Sequence, residues 1–143
     1  MSYNLALIGS RSFTNKVLFD QILAEITTIL GVPRRVISGG AIGADALAYE
    51  WANENFVQIT IFEPKHKDFP KKTRKWMAPK ERNTTIVENS DVVVAFWDMK
   101  STGTKDTIEK ALSRDLQLFI YNLSEDKLIT SKDEILKYLV IKS

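Results

Sequence analysis

Short apolar runs alternate with amphipathic segments along most of the chain. Five runs are typical of strands that are buried on one or both faces. They cover residues 5–8, 36–37, 57–62, 91–96 and 116–121. The segments between them carry apolar residues three or four positions apart, which predicts helices that bury one side.

This alternation predicts an α/β fold. Parallel strands need a long crossover between them, usually a helix, so we expect a mainly parallel sheet with helices on both faces. Residues 91–96 form the predicted central strand because they are apolar on both faces. Residues 123–143 are less regular, with an edge strand indicated at residues 128–129 and a last helix around residues 135–139.

Length and composition restrict the class of protein further. With 143 residues, 44% of them apolar and 27% charged, the chain fits one folded domain over residues 1–143, and wholesale disorder is excluded. It has no cysteine and one histidine, His66, which excludes disulfide scaffolds, thiolate zinc sites and histidine-rich metal sites. No metal site is predicted, although oxygen ligands leave Mg²⁺ open. The short apolar runs predict a cytoplasmic protein with no membrane partner.

Charge is distributed unevenly along the chain. The formal net charge of +2 makes by itself a weak case for nucleic-acid binding. Residues 65–82, however, hold eight basic and two acidic residues, with Trp76 among the cations. We expect a long functional loop over residues 65–80, whose charge is typical either of a solvated surface or of a surface that binds a nucleic-acid strand.

Small and polar residues follow the predicted strands, where a binding site is expected. Ligands of open α/β sheets bind beyond the carboxyl ends of the strands, and small side chains there let a ligand approach the backbone. The candidate binding residues are Gly9, Ser10, Arg11, Ser38, Gly39, Gly40, Gly43, Asp45, Arg82, Asn83, Trp97, Ser101, Thr102, Gly103 and Thr104.

The loop at residues 38–45, with the sequence SGGAIGAD, is the strongest candidate. Glycines permit positive φ, so successive amide N–H groups can point into one hollow, and the helix that starts near Gly43 adds the positive end of its dipole. The loop is neither a P-loop nor a G-x-G-x-x-G motif. It predicts a phosphate or nucleotide site, and a tight turn with close helix–strand packing is the alternative.

The other candidates also have structural alternatives. Asp45 either caps the second helix or binds a ribose hydroxyl, and residues 101–104 either cap a helix or contact a second phosphate. Arg11 and Arg82 are either phosphate ligands or solvated cations. Trp97 either stacks on a base or packs at the edge of the sheet.

Four segments in this order resemble the SLOG superfamily in its YspA/YpsA-like branch, known from small bacterial and phage proteins. They are residues 8–13 (IGSRSF), residues 38–45 followed by Trp51 and Ala52, residues 81–83 (ERN), and residues 93–97 (VVAFW) leading to 101–104 (STGT). The resemblance implies a Rossmann-like three-layer sandwich whose mainly parallel sheet has five strands or slightly more. It also implies a homodimer that binds nucleotides or nucleotide-derived ligands.

Some relatives in this superfamily are phosphoribohydrolases, which implies a catalytic arginine and glutamate. Arg82 matches the family arginine and is the candidate catalytic residue. The family glutamate lies in a P-G-G-x-G-T-x-x-E motif. Gly103 and Thr104 match its Gly-Thr pair, but Thr107 stands at the position of the glutamate. The resemblance therefore implies ligand binding and leaves enzymatic activity open.

Three functions compete on this sequence. The first is a domain that binds or senses a nucleotide or an ADP-ribose-like small molecule through its phosphate, with no certain cofactor. The second is a nucleotide N-glycosidase or phosphoribohydrolase that uses Arg82 with a carboxylate such as Asp45, Glu81 or Asp98. The third is single-stranded nucleic-acid binding through residues 65–82, by analogy with the related DNA-processing protein DprA.

Overall fold

The computed structural model describes residues 2–64 and 77–142. Within these ranges the elements are β1 (Asn4–Gly9), α1 (Lys16–Leu30), β2 (Arg35–Ser38), α2 (Ala44–Glu54), β3 (Gln58–Ile61), α3 (Met77–Glu88), β4 (Val92–Trp97), α4 (Thr102–Ser113), β5 (Gln117–Asn122), β6 (Lys127–Ile129) and α5 (Lys132–Lys142). The five predicted strands, the predicted edge strand and the last helix are confirmed.

The six strands form one sheet in the order β3-β2-β1-β4-β5-β6. β1 to β5 are parallel, and β6 pairs antiparallel with β5 at one edge. In the centre, β1 pairs with β4 from Leu5 opposite Val92 to Gly9 opposite Phe96. The predicted α/β fold with a mainly parallel sheet is therefore confirmed.

Two apolar cores cover the two faces of the sheet. Alternate residues of β1 point to opposite faces, so Leu5 and Leu7 belong to the core with α1 and α2, and Ala6 and Ile8 to the core with α3, α4 and α5. β4 is buried at all 6 of its positions, which explains its continuously apolar sequence. The fold therefore has three layers, with the sheet between two layers of helices. The carboxyl ends of β1 and β4 lie at the centre of one edge of the sheet.

The loop after β1 is anchored to the end of β4. The amide of Ser10 donates to the carbonyl of Phe96 at 2.9 Å. The ring of Phe96 stacks between those of Phe13 and Phe19, with centroid distances of 5.2 and 4.7 Å. These contacts fix the backbone where β1 ends and the chain turns toward α1.

The predicted basic loop at residues 65–80 falls mainly on residues 65–76. These lie outside the described residues, and so do His66 and Trp76. Residues 77–80 belong to the first turn of α3. In the part of the chain that the structure describes, no helix has the length and hydropathy needed to cross a membrane.

Candidate functional site

A cavity opens where the strand order of the sheet reverses. From β1 the chain proceeds outward to β2 and β3 on one side, and it later returns to β4 on the other. The cavity measures about 750 Å³ and is lined by the loops after β1, β2 and β3 and by parts of α3 and α4. This switch point is where open α/β sheets bind their ligands, and the volume is in the range of small-molecule sites.

Most of the predicted binding residues line this cavity. They are Gly9, Ser10, Arg11, Gly39, Gly40, Asp45, Arg82, Asn83, Ser101, Thr102, Gly103 and Thr104. Three loops distant in sequence therefore meet at one place, as expected for the carboxyl edge of a parallel sheet. Ligand binding by these residues stays a prediction.

Three predicted residues do not belong to the lining of this cavity. The prediction that Trp97 stacks on a base is wrong, and the packing alternative holds. Trp97 is 1% exposed, and its indole Nε1 donates to the carbonyl of Ser101 at 3.0 Å. At the end of a central strand, with helices on both faces, its ring has no free surface for a base. Ser38 is fully buried, and Gly43 packs against the backbone of Arg11.

The loop at residues 38–45 uses two of its amides within the protein. The amide of Gly40 donates to Ser38 Oγ at 3.3 Å, and the amide of Ala41 donates to Asp45 Oδ2 at 3.1 Å. The protein's own side chains thus take two of the donors that an anion would need. The alternative of a tight, packed turn describes these two positions, and phosphate binding by the loop stays a prediction.

Gly43 joins the loop after β2 to the loop after β1. Its φ is +76°, and a Cβ atom there would collide with the carbonyl of Arg11. The next amide, that of Ala44, donates to the carbonyl of Ser10 at 3.3 Å. Only glycine combines this conformation with this close approach, so the two loops form one packed unit.

Asp45 braces the glycine loop from the first turn of α2. No side chain caps this helix, so the predicted capping role of Asp45 is wrong, while the ribose contact stays a prediction. The residue is 9% exposed. Burial raises the pKa of Asp45, and the amide of Ala41 and the charges of Arg82 and Arg11 act in the opposite direction.

Arg82 brings a half-buried cation to the cavity. Its Nη1 donates to the carbonyl of Gly39 at 2.9 Å, and its Nε donates to Asn83 Oδ1 at 3.0 Å. Nη2 takes part in neither bond. Burial lowers the pKa of Arg82 and the carboxylate of Asp45 opposes that shift, but a guanidinium stays charged at neutral pH in either case. Arg82 is therefore an oriented positive charge.

Asn83 ties α3 to α4. Its Nδ2 donates to the carbonyl of Gly103 at 3.3 Å and to Asp106 Oδ2 at 3.1 Å, and its Oδ1 accepts from Arg82. The residue is 6% exposed. Its bonds in the structure brace the two helices and orient the guanidinium, and direct contact with a ligand stays a prediction.

The first turn of α4 is the part of the cavity with unused donors. Ser101 is the N-cap residue, yet its side chain makes no capping hydrogen bond. Among the described residues, the amides of Thr102, Gly103 and Thr104 therefore lack the partner that a capped helix provides. A Cβ atom added at Gly103 would meet no atom within 4 Å. Free amides and the positive end of the helix dipole thus border open space.

Asp98 explains why Ser101 does not cap its helix. Ser101 Oγ donates to Asp98 Oδ2 at 3.0 Å, while Asp98 Oδ1 accepts from the amides of Lys100 and Ser101 at 2.9 and 2.7 Å. Ser10 Oγ lies 3.2 Å from Ser101 Oγ and accepts from the Asp98 amide at 3.0 Å. Burial alone would raise the pKa of Asp98, but the hydrogen bonds from Ser101, Lys100 and Ser10 outweigh it and lower the pKa below its usual value.

The cavity also contains residues outside the predicted set. They are Ile8, Ala41, Glu63, Pro64, Pro79, Ile86 and Thr107. Glu63 had a positional signal, because it follows β3 at the same edge of the sheet. Thr107 had one too, because it lies one helical turn beyond Gly103, whose carbonyl accepts its hydroxyl at 3.2 Å. The apolar side chains carried no signal that distinguishes them from core residues.

The carboxylates considered for hydrolysis are only partly brought together. Of Asp45, Glu81 and Asp98, only Asp45 lines the cavity, and among the described residues Glu63 is the other carboxylate of the lining. Thr107 occupies the position that the resemblance gives to a glutamate, and it supplies a hydroxyl there. The arginine–glutamate pair implied by the resemblance is therefore not assembled in this cavity.

The fold and the cavity define an α/β protein with a Rossmann-like sheet and a candidate site at its switch point. Two solved structures are similar in fold. DNA processing protein A (DprA) from Streptococcus pneumoniae has a TM-score of 0.64 at 19% identity, covering 95% of this chain and 61% of that one. DprA from Helicobacter pylori, described by its single-stranded DNA binding mode, has a TM-score of 0.64 at 23% identity, covering 94% of this chain and 71% of that one.

These similarities establish the fold. The chain spans 61% of the pneumococcal protein and 71% of the Helicobacter protein, so it corresponds to a part of each. No protein-family model matches the chain, and no curated protein matches it. The implied relation to DprA is thus supported at the level of the fold, and the YspA/YpsA-like branch stays a prediction.

Proposed function

We propose that the cavity binds the phosphate group of a nucleotide unit at the first turn of α4. The observation that carries the proposal is the uncapped turn, because amides without a capping partner at a helix N-terminus attract anions. Arg82 supplies an oriented guanidinium to the same cavity, and charge-assisted hydrogen bonds from arginine suit phosphate oxygens. Arg11, exposed at the end of β1, adds a second cation.

The location of the donors, and not the overall charge of the cavity, favours a phosphate. Arg11 and Arg82 are balanced in formal charge by Asp45 and Glu63. Asp45 already accepts the amide of Ala41, so it belongs to the braced loop. The anion is therefore expected beside α4, where the amides are free, and not beside the glycine loop.

A single nucleic-acid strand is the carrier of the phosphate that two observations favour. Pro64 and Pro79 line the cavity, so the basic residues between them in the sequence are joined by the chain to the cavity rim at both ends. The fold is also that of DprA, and the Helicobacter protein is described as binding single-stranded DNA. A strand bound in this way releases counterions, so its affinity should fall steeply with salt.

A free nucleotide is the second candidate. It is favoured by the volume of about 750 Å³, which would hold one mononucleotide. The YspA/YpsA-like branch belongs to this proposal, because Arg82, Asn83 and residues 101–104 of the resembling segments adjoin the same cavity. A homodimer is an expectation from that branch.

Calorimetric titration with AMP and with a short single-stranded DNA tests the proposal. Replacing Arg82 by alanine should weaken binding by about tenfold or more, because a hydrogen bond to a charged group contributes about 1.5–3 kcal/mol. The affinity of Arg82→Lys should lie between those of the unmodified protein and of Arg82→Ala, since lysine keeps the charge and loses the planar guanidinium.

The matched control is Arg114→Ala. Arg114 lies just after α4 at the end opposite the cavity, in an exposed contact with Glu88 at 3.4 Å, and its loss should leave affinity unchanged. Equal affinities of the protein and of Arg82→Ala, or no binding of either probe at low salt, would contradict the proposal. A strong salt dependence for DNA with little for AMP would identify the strand as the carrier.

A further inference from the structure

The hydrogen bond between Ser101 and Asp98 has a fixed direction. The lowered pKa of Asp98 makes it an ionised, acceptor-only group at neutral pH. The single hydrogen of the Ser101 hydroxyl is therefore donated to Asp98 Oδ2. Ser10 Oγ lies 3.2 Å from Ser101 Oγ, and Ser101 has no second hydrogen to donate to it.

This direction decides what Ser101 can offer to a ligand. Ser101 lines the cavity, but its hydrogen is already used, so toward the cavity its oxygen presents only a lone pair. A phosphate oxygen is also an acceptor and gains nothing from that contact. The side chain of Ser101 therefore does not serve as the phosphate donor expected from the sequence, and it requires a donor on the ligand.

We propose that Ser101 Oγ accepts a hydrogen bond from a sugar hydroxyl of the bound nucleotide unit, so that the cavity prefers a ribonucleotide to a deoxynucleotide. The inference rests on the proposed function, because the phosphate fixes the ligand beside this residue. Ser101 directly precedes the amides of residues 102–104. Within a nucleotide the donors closest to the phosphate are the sugar hydroxyls, whereas the base amino groups lie further away.

Asp98 and Ser10 act as positioning residues in this arrangement. Asp98 takes the hydrogen of Ser101 away from the cavity, and Ser10, which is 1% exposed, lies against the same Ser101 oxygen. A lone pair of Ser101 is left for a ligand. The selectivity for a hydroxyl thus depends on a carboxylate that is not part of the cavity lining.

Titration of three mononucleotides measures this selectivity. The probes are AMP, 2′-deoxy-AMP and 3′-deoxy-AMP, and AMP should bind about tenfold more tightly than the analogue that lacks the contacted hydroxyl. The two analogues distinguish which hydroxyl is contacted. Oligoadenylate strands of equal length, one RNA and one DNA, extend the comparison, with RNA expected to bind more tightly if the 2′-hydroxyl is contacted.

Two variants test the role of the chain of hydrogen bonds. Ser101→Ala should lower the affinity for AMP to that for the deoxy analogue and leave the latter unchanged. Asp98→Asn keeps an oxygen that can accept from the amides of Lys100 and Ser101. Its NH₂ group, however, donates to Ser101 Oγ and so reverses the hydrogen bond between the two side chains, and the preference for AMP should vanish. Ser113→Ala, at the far end of α4, is the control and should retain the preference.

The outcomes separate this inference from the proposed function. Equal binding of AMP and both deoxy analogues would contradict the inference and leave phosphate binding in place. A preference for AMP that persists in Ser101→Ala would contradict it as well. Failure of every probe to bind would contradict the proposed function, and the inference with it. Thermal unfolding of each variant establishes that it is folded when the titration is made.

Discussion

The glycine loop at residues 38–45 and the first turn of α4 border the same cavity, but they are built in opposite ways. In the glycine loop, the amides of Gly40 and Ala41 donate to the protein's own side chains. In the turn of α4, no described side chain caps the helix, and a Cβ atom at Gly103 would meet no described atom within 4 Å.

A glycine-rich motif can thus use its amides within the scaffold, while a segment with fewer glycines leaves its amides free. Gly43 is required by the packing of one loop on another, and no atom of residues 2–64 and 77–142 requires a glycine at Gly103. A glycine that the protein's own packing does not need is the stronger indication of a ligand. Substitutions at these two glycines, and at Asp45 and Asp98 beside them, test this contrast.

The largest effect is expected for Gly43→Ala. The positive φ and the collision with the carbonyl of Arg11 should together lower the free energy of unfolding by about 3 kcal/mol. Urea unfolding measures it. Gly31→Ala is the matched control, because Gly31 has a φ of +84° but no neighbour within 4 Å among the described residues, so only the backbone strain of about 1–2 kcal/mol should remain. If Gly43→Ala and Gly31→Ala lower the free energy of unfolding by the same amount, the proposed role of close packing between the two loops is contradicted.

A smaller effect, of opposite sign at the two segments, is expected from pH. Burial raises the pKa of Asp45, so the folded state binds the proton of this carboxyl more tightly than the unfolded state does. As pH rises above the usual pKa of an aspartate, Asp45 therefore lowers the free energy of unfolding. The pKa of Asp98 is lowered despite burial, because of its hydrogen bonds, so its contribution is present above the usual pKa and is lost as pH falls through the lower value.

Unfolding of Asp45→Asn and Asp98→Asn from about pH 3 to about pH 8 measures both signs. Relative to the unmodified protein, Asp45→Asn should gain stability as pH rises, and Asp98→Asn should lose it. If the stability of the two variants changed with pH in the same way, the two carboxyls would be in equivalent surroundings. That result would contradict the difference between the two segments.

The smallest effect on stability is expected for Gly103→Ala. The added methyl group has open space and favours a helix, so the free energy of unfolding should rise by at most about 1 kcal/mol. If the phosphate approaches this turn, the same methyl group should weaken AMP binding several-fold in the titration. A variant that is destabilised like Gly43→Ala would remove the distinction between the two glycines.

The sequence predicts the architecture better than the detailed role of each site residue. Continuous apolar runs identify buried parallel strands because helices cover both faces, and the carboxyl edge of such a sheet gathers its loops. The sequence does not distinguish whether a polar side chain binds a ligand or the backbone beside it. Ser38 and Asp45 have the chemistry for either, and both brace the loop. For Trp97, the helices on both faces of the sheet decided the outcome.

Asn83 holds α3 to α4 through its Nδ2, which donates to Gly103 and to Asp106, while its Oδ1 accepts from the neighbouring Arg82. These hydrogen bonds fix the spacing between α3 and α4 beside the cavity. A ligand that enters between α3 and α4 would have to fit a gap of fixed width. The cavity would therefore select ligands by size before their polar groups form hydrogen bonds.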